Sequence, residues 1–401
     1  MNDDFLIRSD ALTLKYLPVH FEHIQSIGNY QFYFNPQKIW KFEDVTIYIN
    51  GFVLPGINIF ESFSSFKQHE LVYRLYNTYK WDFISHIKGF FCIIIITRDT
   101  IKIFTDQLGL FKLFYKEQNG KFSCSNSVKL LSACYESLNY NPVMIAVKSL
   151  LNHEINGNTI FKDIHYTQPA IEITLENGSI SFNTYFNYSS LIKNEPEKKS
   201  YHYFAFFLKE LINQYNTYLH PERSVISLTG GKDSRTVLSA LMSNDIYPVG
   251  ITYGSPDSRD AVYSKLLSTK AKIEHYIFNP EKSVEWFEDT ALKIIDTGNP
   301  LINIHRGHRY NAFLEISKRI GENIAYYGGY MGGEFLMGVY YDNLIFTNFL
   351  TNHWENKSAG IEEIRKILSE YFFNDDAIDA KSISDELSRL QSINFSANKV
   401  Q

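Results

Sequence analysis

Apolar residues along this chain keep two rhythms. Between residue 45 and about residue 188, short β-branched and aromatic runs recur at 45–49, 90–97, 101–105, 113–116, 121–124 and 171–175. Runs of this length, punctuated by Asn50-Gly51, Asn119-Gly120 and Asn177-Gly178, predict strands joined by tight turns. Beyond residue 200 the pattern changes to helix and strand in alternation: a helix over 201–218, a buried strand from Val225, a helix from Ser234, a strand over 247–253 and a helix over 260–272. That order predicts a parallel, doubly wound sheet whose ligand lies at the carboxyl ends of the strands. The charged stretch 191–200, with Pro196, reads as a linker, so the expected domains are 1–190 and 201–401.

The segment Val225-Ile226-Ser227-Leu228-Thr229-Gly230-Gly231-Lys232-Asp233-Ser234 carries the densest chemistry. It predicts a strand, a glycine turn and a helix start. Amides pointing out of such a turn, with the helix dipole behind them, favour a polyphosphate. Thr229 and Ser234 add hydroxyls, Lys232 adds a cation, and Asp233 offers Mg²⁺ a hard oxygen ligand. The spacing is wrong for a Walker A loop and the chain holds no G-x-G-x-x-G, which removes the kinase-type and dinucleotide readings.

Composition narrows the class further. A net charge of −5 with both signs interspersed gives no basic stripe, so no nucleic-acid partner is expected. The longest apolar run, 90–96, is too short to span a bilayer, so no membrane partner is expected either. Cys92, Cys124 and Cys134 form no C-x-x-C pair, which makes a reducing cytoplasm the expected compartment. His305 and His308 have metal-like spacing without a third ligand nearby. Arg306 and Arg309 beside them are candidates for holding a substrate carboxylate or phosphate.

The loop resembles the Ser-Gly-Gly-x-Asp-Ser signature of the ATP pyrophosphatases, with Thr229 in the first Ser position. Other segments extend the likeness in chain order: Asn50-Gly51, Gly89-Phe90-Phe91, Asp106-Gln107-Leu108-Gly109, Leu113-Phe114-Tyr115, then Gly254-Ser255-Pro256-Asp257-Ser258-Arg259-Asp260-Ala261 and the glycine-rich 327–338. Together they resemble the asparagine synthetase family. The resemblance implies an α+β N-terminal glutamine-hydrolase-like (Ntn-type) sandwich, followed by an α/β doubly wound parallel sheet of the ATP-pyrophosphatase type. It implies ATP and Mg²⁺ as cofactors, with Ser227, Leu228, Thr229, Gly230, Gly231, Ser234 and Gly329 around the phosphates. Ile251, Thr252 and Tyr253 would frame adenine, Lys232 and Asp233 would act in catalysis, and Asp233 with Glu334 would hold the metal.

The chain also departs from the family. Asn2 stands where the glutaminase Cys is expected, Phe52 replaces the Glu that binds glutamine, and Thr105 replaces an Arg. Met331 occupies the place of a catalytic Glu, and the family's C-terminal Lys motif is not found in 335–401. The expectation is a ligase that adenylates a small-molecule or peptide carboxylate and passes it to ammonia or an amine, without glutaminase activity. A partner subunit or a homodimer is expected to complete it. A degenerate nucleotide-binding subunit that serves a partner synthetase is the second reading these departures leave open.

Overall fold

The computed structural model describes residues 4–9, 22–34, 38–151, 154, 157–176, 178–187, 200–279, 284–298 and 308–329. Two compact units share them, one within Met1–Phe52 and Phe90–Phe186, the other within Val53–Gly89 and Asn187–Tyr340. The linker expected at 191–200 lies, apart from Ser200, outside the described residues.

The first unit is built on strands β1 (Phe5–Ser9), β2 (Glu22–Ile27), β3 (Tyr30–Phe34), β4 (Ile39–Lys41), β5 (Thr46–Pro55), β6 (Ile87–Ile96), β7 (Thr100–Thr105), β8 (Phe114–Gln118), β9 (Lys121–Ser125), β10 (His165–Tyr166), β11 (Ile171–Glu176) and β12 (Ser179–Thr184). They make two sheets, ordered β10-β8-β9-β1-β3-β2 and β12-β11-β7-β6-β5-β4. All five neighbouring pairs of the first sheet are antiparallel. Residues from both sheets, among them Phe5, Phe32 and Phe122 from the first and Tyr48, Cys92, Ile94 and Ile103 from the second, close one core. Successive strand residues face opposite sides, so this single cluster marks the two sheets as stacked.

Two of the three predicted turns are hairpin turns. Gln118 pairs with Lys121, leaving Asn119 and Gly120 at φ +53° and +72°. Both central residues thus have the positive φ that a two-residue hairpin needs. Glu176 likewise pairs with Ser179, with Gly178 at φ +79° between them; Asn177 lies outside the described residues. Asn50-Gly51 is a correction: it lies inside the ten-residue β5. Gly51 has φ +92°, and a Cβ there would sit 2.1 Å from the Phe90 carbonyl oxygen, so the glycine serves close strand approach. The short helices α3 (Val128–Ser132), packed on β9, β1 and β8, and α4 (Pro142–Leu151) complete this unit.

The second unit carries α1 (Phe60–Phe63), α2 (Gln68–Tyr79), α5 (Tyr201–Leu219), α6 (Lys232–Met242), α7 (Arg259–Ala271), α8 (Val284–Gly298) and α9 (His308–Ile320) with strands β13 (Arg223–Ser227), β14 (Val249–Tyr253), β15 (His275–Phe278) and β16 (Ile324–Tyr327). The four strands form a parallel sheet ordered β15-β14-β13-β16. Ile226 and Leu228 join Ile212 of α5, Leu238 and Leu241 of α6 and Leu267 of α7 on one face. Val225, Val249 and Ile251 join Ile316 of α9 on the other. Helices therefore cover both faces, as the unbroken apolar strands require. The chain steps outward from β13 through α6 and α7, then crosses back to place β16 on the far side of β13. The strand order reverses between β13 and β16, and a crevice there is the preferred ligand position of such sheets.

Candidate functional site

The carboxyl end of β13 leads straight into the loop that the sequence singled out. Ser227 and Leu228 are buried, Thr229 and Gly230 are half-buried, and Gly231, Lys232 and Asp233 are exposed. Helix α6 begins from Gly231, which supplies no side-chain cap. Its first-turn amides therefore keep the unmet donor capacity of a helix start.

The turn is braced from inside. Ser234, only 4% exposed, has its Oγ 3.2 Å from the Thr229 N–H, the Thr229 carbonyl and Thr229 Oγ1. Gly231 N–H donates to Thr229 Oγ1 at 3.1 Å, and Gly230 N–H donates to Asp260 Oδ1 at 3.2 Å. The two glycine amides assigned to the pyrophosphate are thus engaged within the protein. Asp233 makes no hydrogen bond among the described residues.

Gly329, just past β16, closes the other side of the crevice. A Cβ at this position would lie 2.7 Å from the Ser234 backbone nitrogen and 2.9 Å from the Asp233 carbonyl carbon. Only a glycine lets the β16 end approach the start of α6 this closely. The sheet order and the glycine thus identify one place independently.

The residues expected around adenine are largely committed to the sheet. The Ile251 carbonyl accepts the Leu228 N–H at 2.8 Å, and Gly254 N–H donates to Phe278 at 2.9 Å. Thr252, 1% exposed, donates from Oγ1 to the Leu228 carbonyl at 2.7 Å and also meets Ser264 Oγ at 2.8 Å and His275 Nε2 at 2.9 Å. Thr252 Oγ1 thus ties Leu228, Ser264 and His275 into one buried cluster in which its single proton serves one partner at a time. Burial, with a smaller push from Lys265, holds His275 below its usual range. Tyr253 is half-buried at the crevice edge, and the Arg309 guanidinium sits 5.9 Å from its ring centroid. Arg309 in the first turn of α9 therefore reaches the same edge; Arg306, Glu334 and Met331 lie outside the described residues. No cluster of three metal-ligating side chains occurs among the described residues.

Three contributors were missed by sequence reasoning, Tyr263, Ser264 and His275, and Asp260 was read only as part of the segment after β14 and given no role at the loop. Asp260 and Ser264 share a face of α7 by their i, i+4 spacing, beside the small buried residues Ala261 and Ser268, a stripe that signals close packing on β14. Tyr263 packs where a Gly230 Cβ would be, 3.2 Å from its own Cβ.

The glutaminase-like region is built differently. Asn2 lies outside the described residues. Phe52, in the place of the expected Glu, lies 6.2 Å from the Phe90 ring, which lies 5.6 Å from the Phe111 ring. Thr105 is fully buried, and its Oγ1 accepts the Ile171 N–H at 3.3 Å. Asp106, also fully buried, accepts the N–H groups of Leu108 at 3.0 Å, Leu110 at 3.1 Å and Phe111 at 2.7 Å. All three cysteines of the chain are buried. Burial pushes the Cys92 and Cys124 thiols far up and the Cys134 thiol to about 11, so none is a thiolate at neutral pH.

No family model and no curated protein matches the chain. Solved structures that match include glutamine phosphoribosylpyrophosphate amidotransferase from B. subtilis, complexed with ADP and GMP, at 8% identity and TM-score 0.28, over 72% of this chain and 64% of that one. The NMN synthetase from Francisella tularensis matches at 17% identity and TM-score 0.28, over 48% of this chain and 87% of that one. The NH3-dependent NAD synthetase from Campylobacter jejuni matches at 16% identity and TM-score 0.26, over 51% of this chain and 98% of that one. Likeness this distant leaves function to be argued from the site. Among the described residues, no helix is long and apolar enough to cross a membrane.

Proposed function

We propose that the second unit is the synthetase part of an ATP-dependent ligase that forms a carbon–nitrogen bond with release of AMP and pyrophosphate. The observation that carries this reading is the meeting of Thr229–Ser234 with Gly329 at the strand-order reversal. A strand end, an uncapped helix start, a lysine and an unengaged carboxylate converge there, in the crevice where parallel sheets hold ligands.

A carboxylate oxygen attacks the α phosphorus of ATP, and the bond from that phosphorus to the pyrophosphate oxygen breaks. An amine then attacks the acyl carbon, the C–N bond forms, the bond from that carbon to the AMP oxygen breaks, and the amine gives up a proton to solvent as AMP departs. Negative charge grows on the departing pyrophosphate, and Lys232, with the first-turn amides of α6, offsets it. Asp233 suits Mg²⁺, since an exposed carboxylate with no internal hydrogen bond is a hard oxygen donor ready for a hard cation. Bound Mg²⁺ supplies charge neutralisation on the phosphates. Arg309 is the described side chain placed to meet the acyl substrate. The acyl acceptor is free ammonia, an external amine or an amine of the substrate itself, since the three buried thiols of the first unit are not thiolates that could release ammonia from glutamine.

ATP–pyrophosphate exchange with a panel of carboxylic acids tests the proposal. Exchange that depends on one class of acid is expected. A folded protein that exchanges with none, and binds no ATP, would favour a degenerate subunit.

A further inference from the structure

All three backbone N–H groups of the turn Thr229-Gly230-Gly231 already have internal acceptors. Two of those acceptors are neutral hydroxyls, Ser234 Oγ and Thr229 Oγ1, which rotate freely between partners. The third is different. Gly230 N–H is held by a carboxylate, that of Asp260, at 3.2 Å. Asp260 comes from another element, the first turn of α7, two residues past the cap Ser258. Asp260 is exposed, so its carboxylate has room to rotate into solvent.

We propose that Asp260 is an internal stand-in for a phosphate oxygen: it occupies the Gly230 amide in the ligand-free protein and must be expelled when a polyphosphate binds. The inference rests on the reading of Thr229–Ser234 as a polyphosphate cradle. One N–H cannot serve two anions at full strength, so an arriving phosphate oxygen and the carboxylate compete for it. A carboxylate that lingers beside the bound anion also repels it. Both effects lower affinity for free polyphosphate, and they favour departure of the pyrophosphate product. Asp260 is on this account a residue that sets how tightly the loop holds its anion, and Ser234 and Thr229 are neutral partners that the ligand displaces without electrostatic cost.

The test is a calorimetric titration of inorganic pyrophosphate, and separately of ATP without metal, into the full chain and two variants. Asp260→Asn keeps an acceptor oxygen and removes the charge. Asp260→Ala removes both. The expected result is about three- to tenfold tighter binding of pyrophosphate to each variant at low ionic strength, with the gain shrinking in about 0.5 M KCl as salt screens the repulsion. A residue that only shapes the loop would leave the Asn variant unchanged and weaken the Ala variant. Failure of either variant to bind more tightly overturns the inference while the cradle reading stands. If the unsubstituted protein binds neither pyrophosphate nor ATP, the cradle reading fails, and the inference falls with it.

Discussion

Two aspartates, each following a strand and beside a glycine turn, have opposite fates in this molecule. Asp106 directly follows β7, is wholly buried, and spends its carboxylate on three backbone N–H groups of the turn that follows. Asp233 opens α6, is exposed, and has no hydrogen bond among the described residues. Both belong to segments that resemble family motifs, yet only one is available to a ligand. A motif residue whose valences are filled by its own turn is architecture; one left unfilled at a helix start, facing a crevice, is a candidate for chemistry.

The difference is open to direct attack, and its largest effect should come from the architectural side. Asp106→Ala would orphan the N–H of buried Phe111, at about 1–3 kcal/mol, and remove the acceptor of Leu108 and Leu110, at about 0.5–1.5 kcal/mol each because water can reach those exposed residues, so a loss of about 3 kcal/mol in urea unfolding is expected. The isolated consequence should be stability: folded Asp106→Ala protein should keep its ATP affinity. A variant as stable as the parent would make the Asp106 turn dispensable and erase the contrast.

Asp233→Asn should behave in the reverse manner. Asp233 lies in the first turn of α6 and not at its cap, so loss of its charge forfeits about 0.3–1 kcal/mol of helix-dipole interaction, and the melting temperature should stay within a few degrees. ATP–pyrophosphate exchange should fall about a hundredfold or more, a barrier rise of about 2.7 kcal/mol. Unchanged exchange would remove Asp233 from the mechanism and leave the two aspartates alike.

Gly329→Ala probes the crevice that separates the two cases, with a smaller effect. The added methyl would lie 2.7 Å from a backbone nitrogen, and backbone cannot swing aside as a side chain can. Overpacking of this kind costs roughly 1–3 kcal/mol, felt where β16 meets α6. A tenfold weaker ATP Kd, about 1.4 kcal/mol, is expected from fluorescence titration. Parental affinity in this variant would show that the closeness of Gly329 to Ser234 has no bearing on the nucleotide.

Much of this was legible in the sequence because glycine and helix-start chemistry are local. The strand ending in Ser227, the turn, and the helices at 201–219, 232–242 and 259–271 fall within a few residues of their predicted bounds. The elements that escaped are those whose signal is not local. In β1, Phe-Leu-Ile-Arg-Ser is buried throughout, so no alternation announces a strand, and Arg8 is tolerated inside because it donates to Tyr33 Oη at 2.8 Å across the sheet. Asn50-Gly51 has the composition of a turn, and only its proximity to Phe90 reveals a strand. The same holds at the site. Lys232 and Asp233 could be read from spacing, whereas Asp260 reaches the loop, and His275 reaches Thr252 of β14, through strand order, which no single segment encodes.

The smallest expected effect concerns the cysteines, and it sharpens the contrast from the other unit. Cys92 and Cys124 lie within the core between the two sheets, and Cys134 is buried beside it. Raised thiol pKa values have a definite sign for stability: the fold keeps a proton that the unfolded chain gives up near 9, so the contribution is full below 9 and disappears as pH rises through about 11 for Cys134. At pH 7.5 the native protein should therefore resist both iodoacetamide and a glutamine-mimicking chloroketone. Mass spectrometry should find no label, and glutamate release from glutamine should equal that of a heat-killed control. Unfolding in urea should expose all three thiols to the same reagent, which proves that burial and not chemistry protects them. A single labelled cysteine in native protein, accompanied by loss of a measurable glutamine hydrolysis, would restore a nucleophile to the first unit and give it a catalytic part of its own.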